Sequence, residues 1–167
     1  MPISAAAVKE LRELTGAGML DCKTALESAD GDLEKAKDIL RQKGHAAAAK
    51  RAERVTAQGL VHAYLHHDSR LGALVEINCE SDFVARTDDF RRLAQDIALQ
   101  VAATNPSYLS PDDIPDGTEG DPKELCLLLQ PFVRDESIAI QDMITEAISK
   151  TGENIRVRRF ARFELGR

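Results

Sequence analysis

Apolar and polar residues alternate in two segments that lie far apart in the chain. The first, residues 59–79, alternates on both sides of a polar turn at residues 67–70, and the second is residues 155–165. A period of two residues places successive side chains on opposite faces of a β-strand. The first segment therefore predicts a β-hairpin. The second predicts a strand that joins the hairpin in an antiparallel three-stranded sheet with helices on one face.

Residues 3–44 repeat apolar residues every three to four positions, which is the period of an amphipathic helix. Turns at residues 15–18 and 30–32 divide this segment into three short helices, and Lys43-Gly44 is expected to end the third. The residues predicted to face inward are Ile3, Ala7, Val8, Leu11, Leu14, Cys22, Ala25, Leu26, Ala29, Leu33, Ala36, Ile39 and Leu40. A core this small favours a recognition module attached to a larger domain.

The predicted fold class is α+β, with a three-helix module at 1–44, a helical linker at 45–58 and a core domain at 59–167. The linker is rich in alanine, the strongest helix former, and its basic residues are expected to form a solvated face rather than to bind nucleic acid. In the core domain, Thr87 is expected to cap a helix whose buried stripe is Phe90, Leu93, Ala94, Ile97 and Val101. A short helix with Leu125, Leu128 and Leu129 inward after Asp121 and a last helix over 140–150 complete the domain.

Composition narrows the class of protein. The 167 residues carry a net charge of −6, unevenly spread: +1 in residues 1–58, −11 in 59–153 and +4 in 154–167. The acidic middle disfavours binding to nucleic acid and fits a protein partner with a basic patch. No run of about 18 apolar residues and no secretory signal is visible, so we expect no membrane span. Three widely spaced cysteines favour a reducing, cytoplasmic compartment.

The spacing of the candidate catalytic and metal-binding residues does not match that of known sites. The acidic loop that starts at Asp112 has Ile114 and Lys123 where a calcium-binding EF-hand loop needs ligands. His62 and His66 would lie roughly 13 Å apart on a strand, at ~3.3 Å per residue, which is too far for one zinc ion. No nucleotide-binding or nucleophile motif is present. We therefore expect no enzymatic activity, no cofactor and no metal.

Two short segments each leave two interpretations open. Met19 and Leu20, just after a Gly-Ala-Gly turn, are either core residues at a helix start or an exposed apolar tip used for docking. Phe83, between a strand and a capped helix, is either a core plug or a projecting aromatic beside the carboxylate of Asp82.

Three segments together resemble the elongation factor Ts family: LRELTGAGMLDCK at 11–23, NCESDFVAR at 78–86 and GENIRVRRF at 152–160. They occur in the family's order, and the resemblance covers essentially the whole chain. It implies a guanine-nucleotide exchange factor for the translational GTPase elongation factor Tu, bound in its GDP and nucleotide-free forms. It also implies that the three-helix module is ubiquitin-associated-like and that the second part is a dimerisation-type core.

The resemblance also implies which residues contact the GTPase. Ser81, Asp82, Phe83 and Val84 stand where the family has the stretch that disturbs the GTPase's magnesium site, with Ser81 in place of threonine. Arg12, Met19, Leu20 and Lys23 would contact the nucleotide-binding domain. Longer members carry two related halves in the core, whereas only one fits here, so a homodimer through the core domain is expected.

Three rival hypotheses remain at the sequence level. The first is a non-catalytic dimeric interaction module that uses the N-terminal helices. The second is an acid-rich metal hydrolase centred on Asp112, Asp113 and Asp116. The third is an RNA-binding protein that uses Lys50, Arg51, Arg54 and the arginine-rich last strand.

Overall fold

A computed structural model describes residues 3–167 of the chain. The chain folds into two compact units. The first comprises the chain up to Arg54 together with Thr145–Asn154, and the second comprises Val55–Ile144 together with Ile155–Arg167. The boundaries predicted from sequence, at residues 44 and 58, remain predictions.

The first unit contains three helices, α1 (Ala5–Thr15), α2 (Met19–Ser28) and α3 (Leu33–Arg51). Ser4 caps α1 by accepting from the Ala7 amide, and Asp32 caps α3 by accepting from the amides of Glu34 and Lys35. The buried residues of this unit's core are Val8, Leu11, Cys22, Ala25, Leu26, Ala29 and Ala36. The three predicted helices and most of their inward faces are therefore confirmed.

Two local predictions in this unit were wrong. Leu14 does not line the core, because 58% of its surface is exposed at the end of α1. Gly44 does not end a helix, because α3 runs through it to Arg51. Gly44 is buried, and a Cβ atom there would lie 3.1 Å from Ser149 Oγ and 3.3 Å from Thr145 Cγ2. Close approach, rather than a helix cap, explains the glycine.

The second unit contains the sheet. Its elements, in chain order, are β1 (Gln58–Leu65), β2 (Leu71–Cys79), α4 (Asp82–Ala85), α5 (Asp88–Thr104), α6 (Pro122–Leu125), β3 (Pro131–Phe132), β4 (Asp135–Ala139) and β5 (Ile155–Glu164). The helix α7 (Ile140–Thr151) begins in this unit, and its residues from Thr145 onward belong to the first. The sheet is antiparallel and three-stranded, as predicted, and its strand order is β1-β2-β5.

The core of this unit lies between the sheet and α5. The predicted stripe of α5 is buried, and so are Val75, Ile77 and Cys79 on the inner face of β2. The helix predicted after Asp121 is a single turn followed by a 3-10 turn, Leu127–Leu129. Leu127 is buried there, whereas Leu129, which was predicted to pack, is exposed. The short β3–β4 pair was not predicted.

A β-bulge in the sheet exchanges the two faces of β5. The register shifts between Glu76 and Ile77, so that Arg158 is an extra residue opposite β2. Before the bulge Ile155 and Val157 of β5 are buried, whereas after it Ala161, Phe163 and Leu165 are exposed and Phe160 is half-buried opposite Val75. The exposed apolar side chains on this side form what we call the outer face: Val61, Ala63, Leu65, Leu74, Ala161, Phe163 and Leu165. The outward side of the sheet therefore combines this apolar region with a charged pair, Glu76 and Arg159.

Candidate partner-binding sites

The first candidate site is the connection between β2 and α5, residues 80–87, which we call the Phe83 turn. Phe83 lies in the one-turn helix α4 and has 82% of its surface exposed. The interpretation of Phe83 as a core plug was therefore wrong, and the structure confirms a projecting aromatic side chain. Ser81, Asp82 and Val84 are half-buried around it.

The N-terminal end of α4 is held by polar contacts to buried structure. The hydroxyl of Ser81 caps α4 by accepting from the Val84 amide at 3.4 Å. The buried thiol of Cys79 donates to the carbonyl of Ser81 at 3.1 Å. The first of these contacts gives the Ser81 hydroxyl a local role in shaping the turn. A serine performs that role as well as a threonine does.

The C-terminal end of α4 is held in the same way. The Thr87 hydroxyl donates to the carbonyl of Val84 at 2.8 Å and accepts from the Phe90 amide, the first-turn cap of α5, at 3.2 Å. Arg86 forms an ion pair with Asp82, with Nη2 and Oδ2 3.0 Å apart. The charge of the carboxylate next to Phe83 is therefore paired to an arginine.

This arrangement presents a large apolar side chain from a backbone that is fixed at both ends. An exposed aromatic residue has a large apolar area and few rotatable bonds, so it can insert between elements of a partner at a small entropic cost. Insertion of such a side chain moves the partner's elements apart. The Phe83 turn can therefore act as a wedge.

The second candidate site is the turn between α1 and α2, in the other unit. Gly16 adopts a left-handed conformation (φ 66°) and donates its amide to the carbonyl of Arg12, which ends α1. Met19 and Leu20 begin α2 and are 55% and 76% exposed. The core interpretation of these two residues was wrong, and they form an exposed apolar tip.

Arg12 and Lys23 provide positive charge next to this tip. Both side chains are exposed, and Lys23 lies 3.7 Å from the carboxylate of Glu27, one turn further along α2. Leu14, predicted for the core, adds a third exposed leucine or methionine to the α1–α2 turn. The sequence did hold a sign that Leu14 is exposed: it is the last apolar residue before the turn at Thr15-Gly16. The last apolar residue of an amphipathic helix often lies beyond the buried core.

Two of the residues considered for metal binding, Asp113 and His66, are engaged in local contacts. Asp113 accepts hydrogen bonds from the amide and hydroxyl of Ser110, at 2.9 and 2.8 Å. The Nδ1 atom of His66 lies 3.0 Å from the Tyr64 hydroxyl. Within residues 3–167, no group of three or more histidine, cysteine, aspartate or glutamate side chains is placed to hold a metal ion.

Comparison with known proteins places the chain among translation elongation factors. The family model described as "Elongation factor TS" matches residues 23–119. The chain is 50% identical to elongation factor Ts of Carboxydothermus hydrogenoformans, over 98% of this chain and 89% of that protein. It is 50% identical to elongation factor Ts of Heliobacterium modesticaldum, over 98% and 90% of the two chains. The chain therefore belongs to the elongation factor Ts family.

The alignments also show a difference in length. They span 194 positions, more than the 167 residues of this chain, so these relatives carry residues that this chain lacks. In the part of the chain that the structure describes, no helix is both long enough and apolar enough to cross a membrane.

Proposed function

We propose that this chain is a guanine-nucleotide exchange factor for elongation factor Tu. It binds the GDP form, promotes GDP release by disturbing the magnesium site of the GTPase, and remains bound until GTP enters. The observation that carries the proposal is the 82% exposure of Phe83 on a helix fixed at both ends. This residue lies in the segment that resembles the family's magnesium-disturbing stretch.

Differential affinity explains how a wedge accelerates release. Magnesium requires near-octahedral coordination and is usually bound in part through phosphate oxygens, so small displacements of its surroundings weaken both metal and nucleotide. A Phe83 side chain that binds the distorted GTPase better than the relaxed one shifts the population toward the distorted form. A coupling of about 3 kcal/mol changes nucleotide affinity about 150-fold.

The tip formed by Met19 and Leu20, flanked by Arg12 and Lys23, is proposed as a second contact, to the nucleotide-binding domain of the GTPase. Its support is the exposure of both apolar side chains at the α1–α2 turn. Exposed apolar groups of this kind mark interaction sites.

The proposal assigns no covalent step, cofactor, metal or direct nucleic-acid contact to this chain. The wedge changes the stability of a complex and needs no bond to form or break. Because the partner acts in protein synthesis, the proposal places the chain in the cytoplasm.

The test is release of a fluorescent GDP analogue from elongation factor Tu. The wild-type chain is expected to accelerate release strongly, and Phe83→Ala is expected to lose most of that acceleration while remaining folded, since the side chain is largely exposed. Val133→Ala removes an exposed apolar side chain elsewhere in the same unit and serves as the matched control.

Three outcomes separate the hypotheses. Acceleration that depends on Phe83 but not on Val133 supports the wedge. Acceleration that survives Phe83→Ala would keep the function and contradict the wedge. A folded wild-type chain that gives no acceleration would contradict the exchange factor and favour the alternative, a dimeric interaction module that uses the N-terminal helices.

We also propose that two copies of the chain associate through the outer face of the sheet. The seven outer-face side chains are apolar, and Phe163 is 71% exposed among them. A second copy presents the same face, so a two-fold axis buries the same residues on both sides. This pairing would restore the doubled core that the resemblance implies for longer members.

Light scattering coupled to size-exclusion chromatography tests the homodimer. The proposal expects twice the 18.3 kDa mass of one chain, and a single-chain mass for Leu74→Glu, which places a charge at the centre of the outer face. Val133→Glu, on the β3–β4 connection, should leave the dimer intact. A wild-type chain that stays at the mass of one copy at high concentration would refute the proposal.

A further inference from the structure

The exposure of Phe83 means that packing of its own side chain does little to fix its direction. With 82% of its surface in solvent, it depends on the backbone of α4. That helix has four residues, a single turn, and a turn of this length is not stable in isolation because helix nucleation is unfavourable. The direction of Phe83 therefore depends on the groups that hold α4 in place.

One hydroxyl connects α4 to the rigid part of the unit. Thr87 Oγ1 donates to the carbonyl of Val84, in α4, and accepts from the amide of Phe90, in the first turn of α5. Phe90 is buried, and the stripe that follows it is buried along the length of α5. Thr87 thus transmits the fixed position of α5 to the residue next to Phe83.

The other side-chain groups that hold α4 make longer or weaker contacts, and they include the buried Cys79 thiol, which donates to the Ser81 carbonyl at 3.1 Å. The bond from the Val84 amide to Ser81 is 3.4 Å long, against 2.8 Å for the bond from Thr87 to Val84. The Arg86–Asp82 pair is solvent-exposed, and pairs of that kind contribute little. Of these hydrogen bonds, the one from Thr87 to Val84 is the shortest.

We propose that Thr87 is a positioning residue for Phe83, and that its hydroxyl orients the wedge before the partner is met. The proposal rests on the function proposed above. A wedge on an ordered backbone loses less conformational freedom on binding than one on a loose backbone, which therefore binds the distorted GTPase more weakly. Loss of the Thr87 hydroxyl should therefore reduce exchange activity without unfolding the chain.

Motion of the side chain can be measured without any partner. The chain has no tryptophan, so Phe83→Trp introduces a single fluorescent reporter at the wedge. Time-resolved anisotropy should show a larger amplitude of fast motion when Thr87→Val is added. Thr87→Ser, which keeps the hydroxyl, should restore the restricted motion. Thr118→Val removes an exposed hydroxyl that donates to Pro115 in a loop of the same unit, and it should have no effect.

Exchange activity then tests whether the restricted motion of the Phe83 side chain contributes to function. Using release of the GDP analogue from elongation factor Tu, Thr87→Val is expected to lower kcat/KM by about three- to tenfold, the size expected for a lost hydrogen bond of about 1 kcal/mol. Thr87→Ser and Thr118→Val should stay near wild type. In a Phe83→Ala background, Thr87→Val should cause no further loss, because its effect acts through Phe83.

The outcomes are distinct. Unchanged anisotropy of the reporter, or an equal loss of activity with and without Phe83→Ala, would overturn the positioning role. A wild-type chain that fails to accelerate release contradicts the proposed function instead, and the anisotropy result then decides by itself whether Thr87 orders the Phe83 side chain.

Discussion

At the residue scale, the informative side chains are apolar ones that the fold leaves in water. Single exposed apolar residues are common in proteins and need no special explanation. Here they gather at defined places: Met19 and Leu20 at the start of one helix, and Phe83 on a turn braced from both ends. Folding of this chain gains little from these side chains. Their burial against a partner would contribute roughly 25 cal/mol for each Å² of apolar area removed from water.

Sequence alone could not decide the exposure of these residues. A Phe between a strand and a helix fits a core plug and a projecting wedge equally well, since neither periodic element accounts for it. The exposure is decided by the packing of α4 against segments distant in the chain, which leaves the Phe83 side chain in solvent. By contrast, Thr87 was predicted as a cap, because the hydroxyl-then-acidic pattern is a local signal. Its second bond, to Val84, has no such signal.

Glu76 supports a prediction about pH. A hydrogen bond from Arg159 Nε, at 2.7 Å, lowers the pKa of the Glu76 carboxyl below its ordinary value, with further help from Asn78 and Arg158. Because the pKa is lower in the folded chain than in the unfolded one, the stabilisation is present above the unfolded pKa, near 4.5, and is lost as pH falls through the folded value.

Chemical denaturation of wild type and Glu76→Gln over a range of pH tests this. We expect the wild type to be the more stable of the two at pH 7, and the difference to shrink as pH falls below about 4.5. A difference that stays constant down to pH 3 would show that the charge of Glu76 contributes nothing.

At the element scale, periodicity predicted the strands and the long helices but not the face that each strand buries. A period of two says that neighbours point to opposite sides, and it does not say which side a helix covers. In β1 the apolar set Val61, Ala63 and Leu65 lies on the exposed face. In β5 the bulge exchanges the inward-facing and outward-facing positions of the strand. The adjacent arginines Arg158 and Arg159 are the sign of this bulge in the sequence.

Other elements were missed because their patterns are short or ambiguous. A strand of two residues, such as β3, has no period to detect. Gly44 was predicted to end a helix because glycine is common at helix C-termini. In the structure it lies inside α3, where the absence of a side chain allows close packing. The alanine run that follows carries α3 onward, in agreement with its high helix propensity.

Gly59 gives a prediction for the hairpin. It has a φ of +146°, and a Cβ atom would lie 2.1 Å from the carbonyl oxygen of Ile77 on the paired strand. Gly59→Ala should therefore force β1 and β2 apart, whereas Gly117→Ala, also at positive φ but in open space, carries only the backbone strain. We expect Gly59→Ala to cost about 1–3 kcal/mol more than Gly117→Ala in urea denaturation. Equal costs would show that the hairpin can relax around the methyl group.

At the scale of the whole molecule, the two compact units do not follow chain order. Thr145–Asn154 belongs with the N-terminal helices, although most of the intervening chain belongs to the other unit. Composition and periodicity assign neighbours in the chain to the same domain. They therefore cannot predict that a late segment packs with the N-terminal helices. The predicted linker at 45–58 is likewise helical only as far as Arg51.

Asn154 gives a prediction at this scale. It is buried and donates through Nδ2 to the carbonyls of Ala52 and Arg54, at 3.2 and 2.9 Å, which ties together segments about a hundred positions apart. Asn154→Ala should lower the free energy of unfolding by about 1–3 kcal/mol, because two carbonyls lose a donor. Asn154→Asp, which points an oxygen at the same carbonyls, should cost at least as much. If the denaturation curves of the variants coincide with that of the wild type, the hydrogen bonds of Asn154 do not contribute to stability.

The most direct test of the proposed mechanism is the affinity of the chain for elongation factor Tu with and without bound GDP. Reciprocal linkage requires that GDP weaken binding of the chain by the factor with which the chain weakens GDP. Isothermal titration should therefore give a Kd that is higher by up to about 150-fold when the partner holds GDP, and Phe83→Ala should shrink that ratio. The same Kd for both forms of the partner, in a chain that binds it well, would contradict the account.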